Sequence, residues 1–338
     1  MDNKGSARVV KIPGQRLRRY ADLIHKQHLR HTPSQPIEAS EGGILRIVCI
    51  ADTHNTQPEL PEGDILIHAG DLTENGSFNE IQAQLRWLSQ QPHRHKIVIA
   101  GNHDVLFDEE FLKRYPARRY GSSKTQNDLH WPDNLHFLND SSVTLEVDLQ
   151  ILLQSSSTAS RRNAAKRRIK VYGNPYTPQY GVSAFQYPKM NSEFWENKIP
   201  TDADIVVVHG PPRLHLDKTN VLNAGCPYLG EEIARVRPHL VVFGHIHVGY
   251  GREDVRYDKP RKLYEQIINF DSHEDGWNPS GWITLLQLAA TLIWSLLYLS
   301  LLGRKWMPEG ERVTRLVNAA VVGGSNNELK NQAVVVHL

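Results

Sequence analysis

Five short apolar runs, each closed by a cluster of metal-ligating side chains, constrain this chain more than anything else in it. They read IVCIADTHN, ILIHAGDLT, IVIAGNHD, IVVVHGPP and LVVFGHIH. Each run has the length and β-branched content of a buried strand. Each polar cluster therefore falls at a strand's carboxyl end, where open α/β sheets build their sites. The residues delivered there are Asp52 and His54, then Asp71, then Asn102, His103 and Asp104, then His209, then His245 and His247. Taken singly, Asp52 reads as a helix cap and His209 as a satisfied core histidine. Taken in order, the set reads as a metal centre. His68 lies inside its run rather than at the end and reads as structural.

The donors are carboxylate, imidazole and carboxamide, with no thiolate. That set suits Mn, Fe, Zn or Mg and argues against a structural zinc. Asp52, His54, Asp71, Asn102, His209, His245 and His247 are too many ligands for one ion and fit two, if one carboxylate is shared. Asp71, alone in its cluster, is the natural bridge. Two divalent ions about 3.5–4 Å apart clamp a phosphoryl group during in-line displacement, the reaction class these residues suit best.

The remaining composition narrows the class further. The 338 residues, 40% hydrophobic and 22% charged, are ordinary for a globular protein of one large or two small α/β domains. A net charge of +2 gives no global electrostatic case for nucleic acid. Cys49, inside an apolar run, and Cys226, in a loop, make no disulfide framework, so a reducing intracellular compartment is expected. The first residues, MDNKGSARVVKIPG, are too polar for a secretory signal.

Residues 1–43 read as a basic N-terminal arm, a short solvated helix followed by a linker, ahead of a domain over 44–338. Ser77 and Glu80 form a capping box, and Phe78, Ile81, Leu85 and Leu88 follow at helical spacing, so a helix links the second and third runs in a parallel crossover. Residues 108–140 read mostly as loop, and Glu231 to Val236 as a short helix. Two segments interrupt the domain. The first, QSSSTASRRNAAKRR at 154–168, is Ser-rich then basic; without interleaved aromatics it reads as a surface loop, not a nucleic-acid patch. The second spans 258–313 and contains a charge-free stretch at 281–303.

As a helix that stretch is about 34 Å long, against a hydrocarbon core of about 30 Å. RLVNAAVV and QAVVVHL, which follow it, read as strands. If they belong to the sheets already begun, the chain must return to the side it left, and Arg304, Lys305, Glu309, Glu311, Arg312 and Arg315 cannot recross hydrocarbon. Thr284, Gln287, Thr291, Ser295 and Tyr298 also make a mildly polar stripe. The expectation is a helix lying on a membrane surface, at the cytoplasmic face, or against a partner, and not a span.

The order D-x-H, G-D, G-N-H-D, H, G-H-x-H over residues 52–247 resembles the calcineurin-like metallophosphoesterase superfamily. GDLTENG, YGNPYTP, HGPP, FGHIHVGYG and the late VNAAVV resemble most its metallophosphoesterase-domain-containing subgroup, of fetal-brain type, over about 44–256 and 315–338. The resemblance implies a four-layer α/β/β/α sandwich of two mixed sheets. It implies one metal held by Asp52, His54, His247 and Asp71, and a second by Asp71, Asn102, His209 and His245, with manganese the first choice. His103 is then the acid at the leaving oxygen, with Asp104 orienting its imidazole. The implied activity is hydrolysis of a small phosphoester, a nucleotide-like phosphodiester foremost. The protein-phosphatase branch carries GDxVDRG where this chain has GDLTENG, and the missing Arg removes a phosphate clamp. The rival reading, a metal-binding scaffold or membrane-associated interaction protein, is weakened because every ligand and the histidine of GNHD are kept.

Overall fold

Period-two burial along the apolar runs sorts their side chains into two layers. Ile47, Cys49, Ile65, Ile67, Ile97 and Ile99 point into one core, and Val48, Ile50, Leu66 and Val98 into another. The computed structural model describes residues 13–31, 44–148, 166–189, 191–219, 223–269, 279–302, 313–324 and 326–338. In it the runs become β1 (Arg46–Ile50), β2 (Ile65–Ala69), β3 (His95–Ile99), β9 (Ile205–Val208) and β10 (Leu240–Phe243). Between them come β4 (Leu135–Phe137), β5 (Ser141–Asp148), β6 (Lys166–Asn174), β7 (Thr177–Pro178) and β8 (Gln186–Tyr187). After β10 follow β11 (Gly251–Arg256), β12 (Val313–Asn318), β13 (Val322–Gly323), β14 (Glu328–Leu329) and β15 (Val334–His337).

One sheet has the order β15-β1-β2-β3-β4, parallel except for β15. The other has the order β11-β12-β10-β9-β6-β5, with β6, β9, β10 and β12 parallel and β5 antiparallel to β6. Both are mixed, and their inner faces share one core in which Ile47 and Ile67 meet Val171, Val207 and Val242. The late strands sit where the topology required them, β12 beside β10 and β15 beside β1.

Helix α2 (Phe78–Ser89) makes the crossover from β2 to β3. Both halves of its capping box form, and Ile81, Leu85 and Leu88 are buried over the outer face of the first sheet. Helix α4 (Pro227–Val236) carries the chain from β9 to β10. The stretch read as loop contains α3 (Glu109–Arg114), capped by the Asp108 side chain on Phe111 N. Six residues are too few for a helical period to register.

The chain divides into two compact units: 36–255 with 313–338, and 1–35 with 256–312. The second contains α1 (Pro13–His31), α5 (Lys259–Asn269) and α6 (Pro279–Leu302). The expectation of a free, solvated arm separate from the 258–313 segment gives way here. Leu17 and Ala21 of α1 are buried with Leu263, Ile267, Leu285 and Leu288. His25 stacks on Tyr264 at 4.1 Å, and His28 lies 2.9 Å from Asp258. The basic residues of α1 dominate its composition, but its narrow apolar ridge needs only a partner, and α5 and α6 supply it. Of the 154–168 insert, residues up to 165 lie outside those described, and Lys166 to Arg168 open β6. Cys49 and Cys226 are both free and buried.

Candidate metal centre

Every ligand-bearing cluster falls just past a strand: Asp52 after β1, Asp71 after β2, Asn102 and His103 after β3, His209 after β9, His245 and His247 after β10. The backbone there is bent to aim them. Asp52, His54, Asp71 and His245 all have left-handed φ, at 53°, 42°, 53° and 66°. Such conformations in non-glycine residues cost on the order of 1–3 kcal/mol each and gather at functional sites. Two glycines of the motifs are dictated by the ligands beside them. A Cβ at Gly101 would collide with the Asp71 carboxylate, and one at Gly244 with that of Asp52.

The structure brings all the expected ligands together. The donor atoms of Asp52, His54 and His247 lie within 4.8 Å of one another, as do those of Asp71, His209 and His245. Asp71 and His54 also form such a group with His103. Asn102 presents its Oδ1 at 3.0 Å from His209 Nε2. Asp52 accepts the His245 backbone N–H at 2.9–3.0 Å, which locks the two sheets' loops together.

The donor set fits divalent ions. His209 Nδ1 donates to the Ala69 carbonyl at 2.9 Å, and because a carbonyl only accepts, that nitrogen carries the hydrogen. Nε2 is thereby turned toward Asp71 Oδ2 at 3.3 Å, the arrangement in which a ligating histidine is held. Burial alone would depress this imidazole, but the Asp71 carboxylate pushes it up to about 9. Burial likewise opposes ionisation of Asp71, and the surrounding histidines, His209 first, outweigh it and keep the carboxylate charged. His245 is lowered to about 4 by burial and then by His209, so it offers a neutral lone pair. His54 is buried with Nδ1 paired to the Glu74 carboxylate at 3.1 Å and Nε2 left without a hydrogen bond, 3.8 Å from Asp71. A buried imidazole nitrogen without a hydrogen bond beside a carboxylate is what a coordinated ion satisfies.

The two residues expected to act on the proton part company. His103 donates its backbone N–H to Asp71 Oδ1 at 2.8 Å, and its Nδ1 donates to the Glu74 carbonyl at 2.6 Å. Nε2 is then the nitrogen free to take up or release a proton. Asp104 does not orient that ring. Its fully buried carboxylate accepts from the backbone of Gly101, Leu72 and Thr73 and from Thr73 Oγ1, at 2.7–3.1 Å. It pins the GD loop to the GNHD loop. Burial and then Asp71 raise its carboxyl to about 6. The turn Gly101–Asp104 points the side chain underneath the loop, which adjacency in sequence to His103 does not reveal.

Two further residues belong here. Glu74 touches both flanking imidazoles, His54 through its carboxylate and His103 through its carbonyl, and Asn327 donates to it at 2.8 Å. Its position three residues beyond Asp71 in GDLTENG was a usable signal. Tyr180, half exposed, sets its ring 4.9 Å from that of His245, and no sequence signal links positions so far apart. His68 is buried against Thr53 Oγ1 at 2.9 Å, the structural role expected.

Two facing mixed sheets with Asp, His and Asn loops at their carboxyl ends are the metallophosphoesterase architecture. The model for calcineurin-like phosphoesterases matches residues 45–249, and the chain belongs to that family. Metallophosphoesterase domain-containing protein 1 of Homo sapiens is similar, at 38% identity over 218 residues, 62% of this chain and 62% of that protein. The Mus musculus protein of that name matches to the same extent. A stretch of 297 residues, 87% of this chain, is 40% identical to "Probable rhamnogalacturonate lyase C" of Emericella nidulans, of which it covers 24%. The chain thus spans about a quarter of that relative's length and 62% of the mammalian ones.

Proposed function

We propose that the chain is a metal-dependent phosphoester hydrolase with two divalent ions, acting on small, nucleotide-like phosphodiesters. The observation that carries this is Asp71, one buried carboxylate shared between the donor groups of His209 with His245 and of His54 with His103. One ion would be held by Asp52, His54, His247 and Asp71, the other by Asp71, Asn102, His209 and His245. Bound there, divalent ions supply Lewis acidity to a phosphoryl oxygen and offset the charge it gathers during displacement. Manganese is the ion we expect first, with Fe, Zn or Mg able to use the same donors.

The protein's own side chains do the rest. Asp71 and the Glu74 carbonyl fix His103 at its backbone and at Nδ1, so Nε2 delivers the proton to the departing oxygen. Asn75 stands where the protein-phosphatase motif has its Arg, so the GDLTENG loop offers a dianionic monoester no guanidinium. A singly charged diester needs less counter-charge. Tyr180 forms a wall beside His245, where the ester's organic group would lie.

The test is turnover of bis-aryl and mono-aryl phosphates by the purified full chain with Mn, Mg, Zn or Fe, alongside its metal content. We expect two bound ions and faster cleavage of the diester with Mn. Stoichiometric metal with no turnover of either ester would favour the scaffold reading.

A further inference from the structure

We propose that the helical unit docks the protein on an anionic lipid surface, with α6 lying in the membrane plane and its outward apolar face immersed. The 24 residues of α6 carry no charge, and only 17% of the stretch 280–297 is buried. One ridge, through Leu285 and Leu288, faces the α1 and α5 side chains. The opposite ridge presents Ile283, Leu286, Ile293, Trp294 and Leu297 to the outside, each 50–72% exposed. Large apolar residues in one such stripe do not belong in water.

Three hydroxyl side chains of the helix do not stand in the way, and Gln287 is the exposed amide among the outward apolar residues. Thr284 donates to the Ser280 carbonyl, Thr291 to that of Leu288 and Ser295 to that of Thr291, at 2.7–2.9 Å. Hydroxyls bonded to their own helix need no water and enter an apolar medium without an unsatisfied group. Tyr20 of α1 and Trp282 of α6 lie 6.4 Å apart, amphipathic rings suited to the headgroup level.

Charge decides between lipid and a second copy of the chain. Residues 1–35 and 256–312 hold 15 Lys/Arg against 9 Asp/Glu, while the rest of the chain holds 24 against 28. The helical unit is therefore +6 and the phosphoesterase unit −4. Arg16, Arg19, Lys26 and Arg30 stand exposed on α1, the helix packed along α6. Two such units repel each other, whereas each basic side chain near an anionic surface adds on the order of 1 kcal/mol of attraction.

Connectivity argues against a transmembrane path. β11 and β12 are neighbours in one sheet, so the chain leaves at Arg256 and re-enters at Val313 on the same side. If α6 crossed, residues 303–312, with five charges, would have to cross back.

Flotation of the full chain with sealed vesicles tests this. Binding is expected to phosphatidylserine-containing vesicles and weakly to pure phosphatidylcholine, with Trp294 fluorescence shifted to the blue and protease cutting both flanks of α6 from outside. Ile293→Glu with Trp294→Glu should abolish flotation at an unchanged unfolding temperature. Arg16→Glu with Arg19→Glu should weaken it at least about tenfold on the anionic vesicles alone. Failure of the wild-type chain to float overturns the proposal. So does protection of one flank, which marks a span, or a concentration-dependent dimer lost in the double Glu variant, which marks a second copy as the cover.

Discussion

Asp71 and Asp104 show how little residue type says until the carboxylate's neighbours are known. Both are buried acids past strand ends, yet one shares its donor groups with four histidines and the other faces four N–H and O–H donors. Asp71→Asn should therefore lose bound metal and turnover together, read by elemental analysis and aryl-diester cleavage; near-normal values of both would refute the bridge. Asp104→Ala should instead unfold more easily. Four donors lose their acceptor, and at roughly 1–3 kcal/mol per buried orphan the loss is at least about 4 kcal/mol, measured from the denaturant midpoint. His103→Ala should keep its metals and lose on the order of 10²–10⁴ in rate, the span of a general acid. That loss should shrink for esters with good leaving groups; an equal loss for alkyl and aryl esters would remove His103 from the proton's path.

Among the elements, the loops are more constrained than the strands that bear them. Strand positions tolerate volume-conserving exchange, but a methyl group at Gly244 meets the Asp52 carboxylate. Gly244→Ala is expected to cut metal affinity, read by elemental analysis, since the added methyl meets the Asp52 carboxylate first and the Cβ of buried Ala51 beside it. Helix α2 was legible in full, because the Ser77–Glu80 box and the spacing of Ile81, Leu85 and Leu88 are local signals. Helix α1 was legible as a helix but not as a packed one, because its burial depends on residues more than 200 positions away. Helix α3 was missed because its evidence is one cap and a single turn and a half.

For the molecule as a whole, proton and metal compete for one place. The metal-free His209 is raised from 6.5 to about 9 by Asp71. The stability it adds is therefore fully present below 6.5 and is lost as pH climbs to about 9. An ion taking the same donors must displace that proton, so metal affinity should rise with pH over this window. Calorimetry in buffers of different ionisation enthalpy, near neutral pH, should register a released proton; buffer-independent heats would contradict the pairing. Metal bound only to the folded state should also raise the unfolding temperature, and a chelator should reverse the gain.

The chain's order of clusters by itself determined the class of fold, which side chains gather at the candidate metal centre and the crossover through α2. Apolar runs and their polar ends are written contiguously, and a strand's end is where its last residue falls. What only the tertiary structure decided is which acid does what and which helices keep company. Asp104 turns beneath the GNHD loop, Glu74 reaches both imidazoles, Tyr180 arrives beside His245, and α1 finds α5 and α6. Each of these depends on where separate segments meet in space, and no local period or propensity encodes that meeting.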